Sequence, residues 1–318
     1  MLPFRSALVT GATGFIGQHL VRRLVAENVT THCLVRAESL AAAARHRPKG
    51  AICHPLESDA PDDWQDALQG IEAEVVFHLA SPGVVASSDS PELLIETNVR
   101  LIARLLTVVQ GWPLRNIVHA GSFSEYAPSD AILTEDSPLV PATPYGASKV
   151  AAWAAGQTLA MQLGLPLVNV RLFHIYGPGE AKGRLIPYLY DRLARGELAQ
   201  LTAGQQARDP IFIDDAIEAL LAAACLPPAK SPIAYNVCSG QPVEVRQIGE
   251  VVADLMHAPP ALLRWGDLPY RPGEMMRAVG DNHRFVQATG WQPRVGLVEG
   301  VARSLASLGL QRQVRAAG

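Results

Sequence analysis

The stretch SALVTGATGFIG, Ser6 to Gly17, constrains this chain more than any other. An apolar run ends in glycines spaced three apart, Gly11, Gly14 and Gly17, and passes at once into the helical pattern FIGQHLVRRLVAE. A strand that becomes a helix through such a loop is the opening unit of a parallel, doubly wound sheet. Each glycine has its own reason. Gly11 permits the tight turn, Gly14 lets main chain approach a pyrophosphate, and Gly17 lets the helix pack closely on the strand, while the helix N-terminus offers free N–H groups to phosphate.

The rest of the first half continues this pattern. THCLVR, AICHPL, EVVFHLA, RNIVHAGS and LPLVNVRLF read as strands, with helices over about Gly14 to Glu27, Glu92 to Gln110 and an alanine-rich run from Tyr145. The strands are apolar runs rather than alternations, as burial by helices on both faces requires. After Phe173 the regularity breaks at Gly177, Pro178, Gly179 and Gly183, a helix follows at LIPYLYDRLARGE, and Pro227, Pro228, Pro259, Pro260, Pro269 and Pro272 mark connections. The expected architecture is α/β. A Rossmann-type doubly wound parallel sheet would span 1–173, and 211–238 would return to it. There PIFIDDAIEALLAAACL and IAYNVCS would rejoin the large sheet as strand, helix and strand. A smaller C-terminal substrate-binding domain would take 174–210 and 239–318.

Composition excludes several function classes. At a formal net charge of -3 the chain has no electrostatic reason to bind nucleic acid or an anionic membrane. Gln157, Gln162 and Pro166 interrupt its most membrane-like stretch, Val150 to Val170, so no span is expected. The apolar start lacks a basic leader and reads as a strand. Cys33, Cys53, Cys225 and Cys238 show no paired spacing, so buried thiols in a reducing cytoplasm are expected; the nine histidines form no HExxH, so no metal site is.

TPYGASK puts Tyr145 and Lys149 four apart on one helix face, a usable acid–base pair. The ammonium is expected to lower the phenol's pKa from its reference near ~10. Upstream, HAGSFSEYA ends a strand in hydroxyls, where open α/β sheets bind ligands. Ser122 suits a bond to a substrate oxygen beside the tyrosine, whereas Ser124 reads as a turn or cap residue. Asp214 and Asp215 read as helix caps. Arg36 stands 19 residues after Gly17, where an NAD binder uses a carboxylate on the ribose 2'-OH and an arginine accommodates a 2'-phosphate. NADP(H) is therefore the expected cofactor, with NAD as the alternative because Glu38 follows two residues later.

In order, TGATGFIG, VFHLA, GSFSEYA, YGASK, RLFHIYGPG, RDPIFIDDAIEAL, YRPGE and ATGWQPRVGLVEGV resemble the extended short-chain dehydrogenase/reductase family of nucleotide-sugar epimerases, dehydratases and reductases. The resemblance spans nearly the whole chain. It implies a catalytic set of Ser122, Tyr145 and Lys149, with Phe15 and Ile16 beside the cofactor pyrophosphate, Leu79 and Ala80 beside its ribose, and Asn98 on the nicotinamide side. Arg208 and Arg271 would clamp the diphosphate of a nucleotide sugar. A homodimer through the helices of 92–110 and 145–163 is implied too.

Departures from the family pattern narrow the reading. His174 replaces the usual Asn and would bind substrate, Ala127 replaces a Gly, and HPLES offers no clear Asp to the adenine. Phe123 and Ser124 stand where the dehydratases place Asp-Glu, which disfavours loss of water. The leading expectation is reduction of a nucleotide-diphosphate 4-keto-6-deoxyhexose, hydride coming from NADPH and a proton from Tyr145. A nucleotide-sugar epimerase is the alternative, and a non-catalytic NADP-binding protein a third.

Overall fold

A computed structural model describes residues 2–40, 50–81, 90–228, 231–271 and 273–316; Pro272 lies outside them. The first strands are β1 (Ser6–Thr10), β2 (Thr30–Arg36), β3 (Ala51–Leu56), β4 (Val75–His78), β5 (Asn116–Ser122) and β6 (Leu167–Leu172). After them come β7 (His174–Tyr176), β8 (Ala199–Leu201), β9 (Ala207–Arg208), β10 (Pro210–Phe212), β11 (Ile233–Val237), β12 (Val243–Glu244), β13 (Leu263–Trp265) and β14 (Arg277–Ala278). Seven of these form one sheet in the order β11-β6-β5-β4-β1-β2-β3, every neighbouring pair parallel. The chain leaves β1 towards β2 on one side and comes back to β4 on the other. A ligand crevice opens at such a reversal, outside the carboxyl ends of the strands.

The inner strands bury both faces. Val9, Phe77, Val118 and Val170 face one core, which takes in Leu20, Val21 and Leu24 of α1 (Phe15–Ala26). Leu8, Val76, Ile117 and Leu167 face a second, made with α2 (Pro61–Ala67), α3 (Pro91–Val108) and α4 (Pro144–Leu163). This is why the strands lack polar alternation.

α4 has a well-defined start and stop. Thr143 accepts from Gly146 N–H at 3.1 Å, Pro144 takes the first turn where its missing N–H costs nothing, and Gly164 ends the helix with φ +67°. Gly156 brings α4 close to α3, since a Cβ there would lie 3.1 Å from Ile102 Cγ1. The outer side of the α3–α4 pair leaves Leu93, Ile95 and Met161 exposed.

Beyond the main sheet lie α5 (Leu185–Leu193), α6 (Ile213–Ala224), α7 (Val245–Leu255), α8 (His283–Thr289) and α9 (Leu297–Ala316). Among the described residues, β7 pairs with β10, β8 with β13, and β9 stands between β12 and β14. The expected return to the large sheet is half right. IAYNV joins it as β11 beside β6, but PIF does not: Pro210–Phe212 pairs in parallel with His174–Tyr176. The edge position beside β6 is already filled by β11, so β10 can only extend the short β7. Asp214 and Asp215 do not cap α6 either. They sit inside its first turn, where Asp214 pairs with Arg303 at 3.2 Å and Asp215 Oδ2 accepts from Val295 N–H at 2.9 Å. Their charges still suit the helix N-terminus. Of the four cysteines only Cys33 and Cys238 are buried; Cys53 and Cys225 are half-buried.

Candidate active site

At the sheet reversal the glycines enforce close contact. Gly11 has φ +70°, and a Cβ there would lie 2.6 Å from Ala80 N. A Cβ on Gly17 would lie 2.1 Å from Gly11 O. Gly14 caps α1 without a side-chain bond, and no acidic residue occupies the first turn. The leading N–H groups of α1 are thus unopposed by local negative charge, a donor set suited to a pyrophosphate. A cavity of about 390 Å³ starts here, bounded by Gly11, Gly14, Phe15, Ile16, Gly17 and Leu79, and runs on to Ser122, Tyr145, Lys149 and His174. Bare main chain, a helix N-terminus and a lysine at the far end fit a dinucleotide. Ala80 packs against Gly11, and its N–H reaches Thr10 Oγ1 at 3.3 Å.

Ser122, Tyr145 and Lys149 come together. Ser122 ends β5, and its Oγ accepts from Ser124 N–H at 3.1 Å, so Ser122 rather than Ser124 is the capping residue. Ser122 and Tyr145 lie side by side on the cavity wall, where the serine side chain favours the charged form of the phenol. Gly146 makes this approach possible, because a Cβ there would lie 2.1 Å from Ser124 O. Lys149 Nζ donates to Ala120 O at 3.1 Å and lies 5.8 Å from the Tyr145 ring centroid.

The electrostatics reverse one expectation. The Tyr145 phenol is not lowered; loss of water and the Glu125 carboxylate push it up to about 12, against the Ser122 bond and the Arg184 charge. Burial likewise brings Lys149 down to about 8, opposed by Glu125. Removing water disfavours both charged forms at once, so neither can be read from the pair alone.

Asn98 is buried on α3, and its Nδ2 donates to Ser148 Oγ at 2.8 Å. It therefore ties α3 to α4 next to Lys149 rather than walling the cavity. Arg36, at the end of β2, is ion-paired with Glu38 at 2.9 Å, both side chains about seven-tenths exposed. An exposed pair of this kind is worth at most about 1 kcal/mol, so either partner is available to a ribose or its phosphate.

A second cavity, of about 790 Å³, shares the wall of His174, Ile175, Glu180 and Arg184 with the first and continues to Arg208 and Arg271. The His174 ring packs on Phe123 at 4.2 Å between centroids, tilted by 32°; burial, with Arg208 and Arg184 nearby, lowers its pKa well below the usual value and keeps it neutral. Arg208 is held by Glu274 and by Met275 O at 2.7 Å. Its neighbour Asp209 is buried and accepts from Ser239 N–H at 2.6 Å, Gly240 N–H at 3.0 Å and Gly280 N–H at 3.2 Å, which fixes the strand that carries the arginine. Arg271 lines the same cavity.

If Arg271 meets an anionic substrate, Arg271→Ala should weaken nucleotide-sugar binding about 10- to 100-fold and leave cofactor affinity alone, because charged hydrogen bonds are worth roughly 1.5–3 kcal/mol. Calorimetric titration with each ligand checks this; equal loss of both places the arginine elsewhere.

Four site residues were not anticipated from the sequence. Glu180 and Arg184 line both cavities and pair at 3.5 Å, a spacing of four without a motif. Glu125 and Arg171 form a fully buried ion pair at 2.7 Å behind Ser122. Arg171 did carry a signal: a charge inside the apolar strand LPLVNVRLF must find a partner.

The family described as NAD dependent epimerase/dehydratase matches residues 7–238. The chain is 30% identical to the UDP-glucose 4-epimerase of Mycolicibacterium smegmatis, over 94% of this chain and 96% of that protein. It is 29% identical to the dTDP-glucose 4,6-dehydratase of Streptomyces griseus, over 94% and 92%. The solved structure of MoeE5 in complex with UDP-glucose and NAD superposes with a TM-score of 0.82 at 28% identity, covering 97% of this chain and 99% of that one.

Proposed function

Because the chain belongs to the NAD-dependent epimerase/dehydratase family, we propose that it reduces the keto group of a nucleoside-diphosphate keto-deoxysugar, most simply a 4-keto-6-deoxyhexose, to an alcohol. The observation that carries this reading is Tyr145. Its phenol lines the cavity beside Ser122, and burial pushes its pKa up to about 12, which favours the protonated form that donates to a carbonyl oxygen. Gly11, Gly14, Phe15, Ile16, Leu79 and Lys149 would hold the nicotinamide dinucleotide, which supplies the hydride when bound. Ser122 steadies the oxygen as negative charge grows on it, and Tyr145 gives that oxygen its proton. Lys149, its pKa brought down to about 8 by burial, shares the pocket with the phenol. Arg208, Arg271 and neutral His174 receive the diphosphate end. Elimination of water is unsupported, since Phe123 and Ser124 occupy the places next to Ser122 and Glu125 is turned away into its pair with Arg171.

A second reading, epimerisation by removing and returning hydride at one carbon, is favoured by the UDP-glucose 4-epimerase relative and by Glu38, whose carboxylate would accept from the 2'-OH of NAD. It asks Tyr145 to take a proton as readily as it gives one, which a raised phenol pKa opposes.

One experiment separates the two. The purified protein is incubated with NADPH or NADH and a panel of 4-keto-6-deoxy sugar nucleotides, and in parallel with UDP-glucose alone. Oxidation of the reduced cofactor with disappearance of the ketone is expected, faster with NADPH because Arg36 can leave Glu38 for the 2'-phosphate. Conversion of UDP-glucose to its 4-epimer by protein that retains NAD through purification would overturn the reductase reading.

A further inference from the structure

A charged network lies behind the reacting hydroxyls, on the sheet side of Ser122. Glu125 is fully buried and forms part of neither cavity wall. Its Oε1 accepts from Ser122 N–H at 2.8 Å and its Oε2 from Arg171 Nε at 2.7 Å. Arg171 Nη1 then donates to Tyr126 Oη at 2.9 Å, and Tyr126 Oη donates to Asn236 Oδ1 at 2.6 Å. The end of β5 is thereby tied to β6 and β11. Gly121 makes the room: a Cβ there would lie 2.5 Å from Glu125 Oε1 and from Asn169 Oδ1. A buried ion pair is not needed for stability as such, since an apolar pair of similar volume serves as well or better.

What the pair does do is aim the serine. With its main chain held by Glu125 and its Oγ lone pair engaged by Ser124 N–H, Ser122 keeps its hydroxyl proton for an acceptor in the cavity it shares with Tyr145. The other charged or titratable groups around the phenol are Lys149 on the same helix face, Arg184 at the head of α5 and His174 on β7. Arg184 and Lys149 are cationic when charged and His174 is neutral; of the two carboxylates, Glu180 on the cavity wall is paired with Arg184, and Glu125 lies behind Ser122 paired with Arg171.

We propose that Glu125, paired with Arg171, is a positioning residue for the Ser122–Tyr145 pair: its carboxylate fixes the serine main chain at the cavity and sets a buried negative charge behind the two hydroxyls. This rests on the reading of Tyr145 as the proton donor, but its test does not depend on which sugar is reduced.

The test is a titration of phenolate ultraviolet absorbance, with Tyr145→Phe as the blank, in the wild type, in Glu125→Gln and in Glu125→Gln/Arg171→Met. Glutamine keeps an oxygen for Ser122 N–H and removes the charge; the double variant leaves no lone buried cation and carries the test where the single variant fails to fold. The Tyr145 midpoint should fall by about one unit in both, a typical effect of losing a nearby like charge. The alkaline limb of the pH–rate profile for ketone reduction should fall with it. A midpoint that stays put or rises in the folded double variant overturns the proposal. Lowered midpoints in a protein that reduces no ketone would uphold Glu125 and refute only the assigned reaction.

Discussion

Tyr145→Phe is expected to lower kcat by about 10²- to 10⁴-fold, the usual worth of a positioned acid, while cofactor affinity and folding stay as they are. The ring keeps its place on the first turn of α4 beside Gly146, and only the hydroxyl goes. The neighbouring contacts survive its loss: Ser122 still accepts from Ser124 N–H with its hydroxyl on the open cavity, and Lys149 still donates to Ala120 O. Steady-state rates with a keto-sugar, alongside a fluorescence titration of reduced cofactor, check both halves. A loss under tenfold would move the proton to another group on the cavity wall, and neutral His174 is the first to try. A loss of cofactor binding equal to the loss in rate would mean that Tyr145 holds the dinucleotide instead.

What the sequence revealed and what it hid follow from the range of the forces involved. Gly11, Gly14 and Gly17 were legible because the turn, the cap and the close helix–strand contact are all set within a dozen residues. Tyr145 and Lys149 share a face by helix geometry alone. The direction of the phenol's shift was not legible. It depends on loss of water and on Glu125, which reaches the site from a different element twenty residues away. Arg208 looked like a ready phosphate ligand, yet it already pairs with Glu274, 66 residues on. The PIF strand was assigned to the large sheet because strand, helix and strand alternate there; its partner is the short β7, whose pairing no local pattern announces. The Asp214 and Asp215 pair had the composition of a cap but bonds to segments near 295 and 303 instead.

Gly17→Ala should damage the fold and the cofactor site together, although alanine is the better helix former by about 1 kcal/mol. The added Cβ would lie 2.1 Å from Gly11 O and 2.9 Å from Ala12 Cα, main-chain atoms that cannot swing aside. Gly11 has no room to retreat, since it already sits at φ +70° with Ala80 N within 2.6 Å of where its own Cβ would be. The strain must therefore move the whole loop off β1 and α1, at a cost of roughly 1–3 kcal/mol typical of overpacking. The N–H groups that face the pyrophosphate move with it. Gly14→Ala separates the two effects. There φ is an ordinary -73° and the nearest atom to a Cβ, Gly11 O, is 3.2 Å away, so the chain should fold nearly unchanged while the methyl intrudes where the dinucleotide must approach. Denaturant midpoints and cofactor titrations of the two variants decide the matter. Gly17→Ala should lose on both measures and Gly14→Ala on the second alone. Wild-type cofactor affinity in both would remove the glycine loop from the binding site.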